Sequence, residues 1–595
     1  MKFSDLTNYL EKIEGISSRN EMTQVIVDAF AKMEGDDISI FAYMLQGRVA
    51  PLFVPVEFNF SEKSLINFLS EMKKEKLDDL RSKLGDIGLV AETLLKDQKG
   101  KGLSVSEVYD YLWKIINTKG TGSVKQKATY VADVLSKLSP KEAKFFTRMV
   151  VGKLRIGVSV KTFVDALSVW VKGDKSLSES INLAYGCDAD LGYIAKKVAG
   201  NIKDIDKFVN ALEVVPGIAL MAKLVEKVDS FEDGFDRLGG RFELQPKYDG
   251  LRCQIHKYTQ GGIKFKDRQW YEHLEIEDDN LGLFASSAQG DIEVKLFSRN
   301  LEDLTEMFPE IVESAKTLPY ENIILDCEII GWEARKEAFL SYQDTMTRKR
   351  KFAVKTASES VPVKAFTFDI MFLNGKSLLK EPLEKRIEIL SNIDLSKSAG
   401  IMLSPMSVVD NLKDLKKQFD AYVKKGLEGI VIKGLDTIYS PGVRNYDWIK
   451  IKKSINLALV DTLDLVVLGY YRGSGKRSDF GIGAILAGIY NEKEDRFESF
   501  TKVGTGITDD MFKKIYERLQ PIISKEKPKN VEVEDILIPD VWVYPEVVMT
   551  VKADEISKSR NDTKVAKGYS LRFPRLVEWD RDKSVYDIFR VEDLK

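Results

Sequence analysis

QPKYDGLRCQIH, residues 245–256, is the stretch on which the reading of this chain turns. Lys247 stands there in a Lys-x-Asp-Gly frame, an amine followed two residues later by a carboxylate and a glycine. That pattern suits a lysine that attacks the α-phosphate of a nucleotide, because a neutral amine is a competent nucleophile and the resulting P–N bond breaks readily once its nitrogen is protonated. Further short phrases follow in order: SRN at Ser298, DCE at Asp326, FTFD at Phe366, EGIVIK at Glu428 and WIKIKK at Trp448. Around them, runs such as ENIILDCEIIG and AFTFDIMFLNG alternate Val, Ile and Phe with polar residues, which predicts an α+β region over 216–454. Upstream, residues 1–215 read as helical. Val108, Leu112, Ile115 and Ile116 share one helical face, Ser123 with Gln126 opens another helix, and Ser139-Pro140-Lys141-Glu142 is a capping box with proline in the first turn. Downstream, DLVVLGYY, GAILAGIYN, SFTKVGTG and WVYPEVVMTVKA are short strands divided by turn signals, as in a small OB-type barrel.

Bulk properties narrow the classes. At 595 residues the chain exceeds a single core, and its 44% hydrophobic content is that of an ordinary globular protein. No apolar run approaches the ~18 residues that span a bilayer, and MKFSDLTNYL has no signal-peptide core, so an intracellular protein away from membranes is expected. Cys187, Cys253 and Cys327 form neither a disulfide framework nor a zinc pair. With His256 and His273 the only histidines, a His-ligated metal centre or His-based triad is excluded, and His256 reads as structural. The net charge of −2 means that any nucleic acid must be met by local basic surfaces. The candidates are Arg148 with Lys153 and Arg155, the run Arg348, Lys349, Arg350 and Lys351, the group Arg472, Lys476 and Arg477, and residues 558–583.

The ordered phrases resemble the nucleotidyltransferase core of ATP-dependent DNA ligases, and GKLRIGVS (152–159) resembles the LRIG turn of their helical DNA-binding domain. The resemblance extends over nearly the whole chain. It implies a multidomain fold: an all-α DNA-binding domain over 1–215, an α+β adenylation domain over 216–454 and a β OB-fold domain over 455–595. It implies sealing of 5′-phosphate/3′-hydroxyl nicks in duplex DNA by a monomeric enzyme that takes AMP from ATP onto Lys247. Glu328 and Glu428 match the positions that contact the ribose and hold the divalent metal, and such hard oxygen ligands suit Mg²⁺ or Mn²⁺. Phe368 matches the aromatic on which adenine stacks. Lys450 and Lys452 share a strand face toward the α-phosphate. Arg252, Lys433 and those two lysines are the cations that would stabilise charge on the phosphoryl oxygens. Arg299 and Arg444 match arginines that engage nucleotide or nick phosphate. In SLRFPRLVEWDRDK (570–583), Arg572, Arg575 and Lys583 match basic residues that orient the β,γ-phosphates from a separate domain, which must close over ATP and then admit DNA.

Several departures qualify the resemblance. Gln245 stands where the family has a glutamate that accepts from the adenine 6-amino group. A glutamine can accept likewise or donate to a 6-oxo purine, which leaves the choice of ATP over GTP open. Cys327 replaces a common glycine. Residues 97–112 align with the clamp-binding peptide of archaeal members but lack its aromatic pair, which leaves a sliding-clamp partner open. Residues 258–291 exceed the usual hairpin and read as an inserted surface hairpin or loop. An RNA-capping guanylyltransferase or an RNA ligase would share the lysine motif without the helical LRIG domain, and an NAD-dependent ligase would carry a zinc-binding cysteine cluster. A DNA clamp that has lost catalysis is the non-enzyme alternative, and it conflicts with a full set of catalytic side chains.

Overall fold

The computed structural model describes residues 1–594 apart from 17, 155, 208–212, 229, 260–264, 266, 275–291, 334, 336–337, 341, 351–353, 453–461, 474, 554 and 559–563. The chain divides into two compact units, one made of Met1–Leu65 with Asp97–Ile455 and the other of Ile66–Lys96 with Asn456–Lys595.

The first unit begins as helices that start where local chemistry dictates. Helix Val105–Asn117 is opened by Ser104, whose Oγ accepts from the Glu107 N–H while Glu107 accepts from the Ser104 N–H at 2.7 Å. It buries Val108, Leu112, Ile115 and Ile116, the stripe that the sequence predicts. Helix Pro140–Val150 opens the same way, with the Ser139 N–H donating to Glu142 at 2.7 Å. Helix Ser123–Leu135 begins at Ser123, but its cap is Gly122 at φ 83°.

Two of the expected basic surfaces are partly internal. Arg148 is 1% exposed and pairs at 2.9 Å with Glu14 on helix Phe3–Glu14. Arg348 is fully buried, paired with Glu310 and donating to the Met307 carbonyl at 3.4 Å. An arginine beside an acid on a packed neighbour gains a hydrogen-bonded counter-charge, and a run of basic letters cannot reveal that. Arg155, Lys351 and the Lys476 side chain lie outside the described residues.

The β-rich part of this unit holds two sheets. Its strands are β1 (Leu224–Lys227), β2 (Phe242–Lys247), β3 (Leu251–Thr259), β4 (Ile292–Ser298), β5 (Ile323–Glu333), β6 (Ala338–Phe339), β7 (Val363–Leu373), β8 (Lys376–Ser377), β9 (Ile401–Leu403), β10 (Ser407–Val409), β11 (Gly429–Gly434) and β12 (Arg444–Lys452). One sheet runs β1-β12-β11-β2-β10 and the other β4-β3-β5-β7-β8, with β6 beside β5 and β9 beside β7. Pro246 is tolerated in β2 because β10 pairs only with Phe242 to Leu244, leaving β11 alone beside the proline. Phe242 and Leu244 of β2 join Ile430, Ile432, Ile449 and Ile451 in one core, under helix Leu412–Lys424. Their alternates Glu243, Gln245 and Lys247 therefore point to the opposite face. A second core beneath the other sheet gathers Ile255, Leu296, Leu325, Ile370 and Ile311. A third, with Ile324, Met371, Tyr439 and Trp448, joins the sheets. His256 is fully buried, accepts from the Gly217 N–H at 3.2 Å, and is pushed down to about 3 by burial, so it is a neutral structural residue.

The insertion after β3 departs from expectation. Of residues 260–291, only 265 and 267–274 are described, and these are not a surface loop. Arg268 lies 3.0 and 2.6 Å from the two Asp188 oxygens and 2.9 Å from Asp190. Asp190 also accepts from the Trp270 indole at 2.8 Å and from the Tyr43 hydroxyl at 2.6 Å. His273 stacks on Trp113 at 5.5 Å. The described residues of the insertion are thus drawn inward by carboxylates some eighty residues upstream, and Arg268 and Trp270 tie the helical part of this unit to its β-rich part.

In the second unit, the main sheet runs Ile523–Ser524, Val541–Val543, Leu463–Tyr471, Ala484–Asn491, Arg496–Val503, Val531–Glu532. Leu463–Tyr471 also pairs with Val548–Lys552, which in turn pairs with Arg575–Arg581. Helix Asp509–Leu519 closes a core of Leu465, Ile485, Phe500, Phe512, Ile515 and Val551. Among the described residues, no helix is long and apolar enough to cross a membrane.

Candidate active site

Strand register assembles the site around Lys247, the last residue of β2. Lys247 lies opposite Gly429 on β11, and Gly429 lies opposite Lys452 on β12. A Cβ at Gly429 would fall 2.1 Å from the Ile451 carbonyl, and its φ of 152° is one that other residues avoid. Glycine there brings the preceding Glu428 between the two lysines. The Glu428 N–H donates to the Lys247 carbonyl at 3.1 Å, and its carboxylate pairs with the amines of both Lys247 and Lys452. Burial alone would raise the Glu428 carboxyl, but the two ammonium groups outweigh it and hold it below the usual range.

Cations crowd the same place. Lys450 is pulled down to about 8, by burial first and then by repulsion from Lys452, Lys247 and Arg444. Arg299 is lowered by burial and by Arg252 and Arg444. Charges that destabilise one another this way are an anion site in waiting.

The facing wall is built on β3 and β5. A Cβ at Gly250 would lie 2.4 Å from the Ile329 carbonyl, so this glycine lets the turn after Lys247 press against β5. Its N–H donates to Glu328 at 3.2 Å. Glu328, opposite Arg252 in register, is pushed up to about 7 by burial, with Lys247 and Arg252 pulling the other way. Arg252 is fixed rather than free: Nη2 and Nε lie 2.6 and 3.1 Å from Asp326, and Nη1 donates to the Lys223 carbonyl at 2.6 Å. Tyr439 donates to Asp326 at 2.8 Å.

Deeper in, half-buried Phe368 on β7 offers a ring with Lys433 4.9 Å from its centroid. The Phe368 carbonyl accepts from both Lys433, at 3.3 Å, and the Gln245 side-chain amide, at 3.0 Å. Lys433 also sits 4.0 Å over the Trp448 ring.

The structure thus brings Gln245, Lys247, Arg252, Arg299, Glu328, Phe368, Glu428, Lys433, Arg444, Lys450 and Lys452 into one region. Arg572 and Lys583 belong to the second unit, where Lys583 pairs with Asp464 at 2.8 Å and Arg572 is exposed at the end of Tyr569–Arg572. The sequence reading missed the residues that support this region: Asp326, Lys223, Tyr439, Trp448 and Glu243. Asp326 had a signal, since it opens the DCE phrase whose glutamate was singled out.

Among the described residues, no group of three or more His, Cys, Asp or Glu side chains could hold a metal ion. Glu328 and Glu428 nonetheless both feel the charge of Lys247, and Mg²⁺ typically takes one or two carboxylates and completes its shell with water and substrate phosphate, so the pair fits it.

Comparison with known proteins gives the family. Residues 2–168 match the DNA ligase N terminus, residues 285–452 the ATP dependent DNA ligase domain, and residues 478–583 the ATP dependent DNA ligase C terminal region. A Dictyoglomus turgidum protein named "Probable DNA ligase" is 36% identical over 100% of this chain and 97% of its own length. DNA ligase 1 of Methanosarcina mazei is 32% identical over 100% of this chain and 99% of its own. The solved structure Pmar-Lig_Pre. shares the fold at 16% identity, with a TM-score of 0.53 over 97% of this chain and 99% of that one. Family matches in all three regions and full-length relatives above 30% identity place this chain in the ATP-dependent DNA ligase family.

Proposed function

We propose that the chain seals 5′-phosphate/3′-hydroxyl nicks in duplex DNA in three steps, two transfers of one adenylyl group and a final joining of the strands that releases AMP. The Lys247 amine attacks the α-phosphorus of ATP, a P–N bond forms and pyrophosphate leaves. The AMP then passes to the 5′-phosphate of the nick, freeing the lysine, and attack by the 3′-hydroxyl forms the phosphodiester and expels AMP. The observation that carries this reading is the lysine among mutually repelling cations: Lys450, Lys452, Arg299 and Arg444 are disposed to receive the α-phosphate and its developing charge, with Arg252, held by Asp326, beside them. Lys247 and Glu428 form an ion pair, so attack requires that pair to open and the amine to give up its proton. Phe368 supplies the stacking face for the base and Gln245 its polar contact. A Mg²⁺ held by Glu328 and Glu428 would neutralise phosphate charge.

Residues 1–215 serve as the DNA-binding domain, 216–454 as the adenylation domain and 455–595 as an OB-fold domain, whose Arg572 and Lys583 orient the departing pyrophosphate. The partner is nicked duplex DNA, met by the enzyme as a monomer, in replication, repair and recombination.

Incubation with Mg²⁺ and α-labelled ATP, followed by peptide mass analysis, should find AMP on Lys247 that nicked DNA discharges with sealing. Label that nicked DNA does not discharge, or no label, would refute the reading. Glu428→Ala should raise the Mg²⁺ concentration needed for labelling about tenfold or more, since one of two hard ligands is lost. A Mg²⁺ titration superimposable on the wild type would sink the ligand assignment.

A further inference from the structure

Glu243 lies two residues before Gln245 on the same face of β2, yet the proposed reaction does not use it. It is 1% exposed, and among the described residues neither of its carboxyl oxygens has a hydrogen-bond partner. A buried acid left this way calls for an explanation. Register sets it opposite Lys433, and Lys433 and the Gln245 amide are the groups that most favour its ionised form against burial, which pushes it up to about 8. The amide is thus beside the carboxyl but short of a well-shaped hydrogen bond to it.

Gln245 is itself 2% exposed, and its Nε2 donates to the Phe368 carbonyl at 3.0 Å. A carbonyl oxygen only accepts, so the NH₂ end of the amide must face it. The second amide hydrogen has the Glu243 carboxyl beside it, again an acceptor: through either oxygen when ionised, through the carbonyl oxygen when protonated. With both hydrogens drawn toward protein acceptors, Oε1 is what remains for a ligand.

We propose that Glu243 is a positioning residue for base selection: together with the Phe368 carbonyl it holds the Gln245 amide with Oε1 toward the nucleotide, so that Gln245 acts as an acceptor alone and selects a 6-amino over a 6-oxo purine. This rests on Gln245 being the base contact of the function proposed above. A glutamine that is ambiguous by itself thereby behaves as a glutamate would.

The test compares self-labelling of the full chain by α-labelled ATP and GTP in the wild type, Glu243→Gln and the double variant Glu243→Gln, Gln245→Glu. The wild type should label strongly with ATP. Glu243→Gln frees the amide to turn and should raise the GTP-to-ATP ratio about tenfold or more. The double variant should restore the wild-type ratio, because a carboxylate at 245 cannot donate. The ratio, unlike total yield, is insensitive to a loss of folded protein. An unchanged ratio in Glu243→Gln would overturn the proposal, as would a raised ratio that the second change fails to restore. No label on the wild type with either nucleotide would overturn the ligase reading, and this proposal with it.

Discussion

Lys247→Ala is expected to abolish labelling by α-labelled ATP, a loss of about 10⁴-fold or more, because it removes the atom that forms the bond. No neighbour can stand in. Lys450, drawn down to about 8, lies on β12 with β11 between it and β2. Strands are spaced ~4.8 Å apart, so its backbone is roughly 10 Å from that of Lys247 and its amine approaches the phosphoryl group from a different direction. The variant should still bind nicked DNA and should still close a nick that already carries a 5′-adenylate, since that step needs no amine. Substantial residual labelling would show that another residue is the nucleophile. Loss of binding together with labelling would point to a damaged fold.

Arg268→Ala should have the largest effect on stability, about 3–5 kcal/mol, because it leaves two buried carboxylates without their shared counter-charge. Asp188 is fully buried, and burial already pushes its carboxyl up against the pull of Arg268. Without the arginine, the folded state favours a protonated Asp188 while the unfolded chain releases that proton near pH 4, so the deficit should grow as pH rises above that value and shrink below it. Denaturant midpoints at pH 5 and pH 8 would show this, and a wild-type midpoint at pH 8 would refute it. Arg268→Lys should recover only part of the loss, since an ammonium cannot match the paired contacts of a planar fork.

What the sequence revealed and what it hid separate along physical lines. Lys247, Glu428 and Lys452 were legible because each sits in a short local phrase, and β-strand register then carries them together. The first-turn chemistry at Ser139 and Glu142 was legible for the same reason. Arg148, Arg348 and Arg268 read as surface charge because their partners Glu14, Glu310, Asp188 and Asp190 are remote in sequence. Glu243 was passed over because an acid in a strand declares its burial only when the opposing sheet is in place. The sequence already set Arg572 and Lys583 on a separate domain, whereas the joining of Ile66–Lys96 to their unit follows from the contacts of the folded chain, which no local phrase encodes.

The ion pair between Lys247 and Glu428 also bears on the survival of the enzyme between turnovers. An ammonium has no lone pair, so a nucleophile kept in that form is inert toward stray cellular electrophiles such as aldehydes or carbon dioxide. In the proposed reaction, the carboxylate that releases the amine for attack is thus also its chemical protecting group.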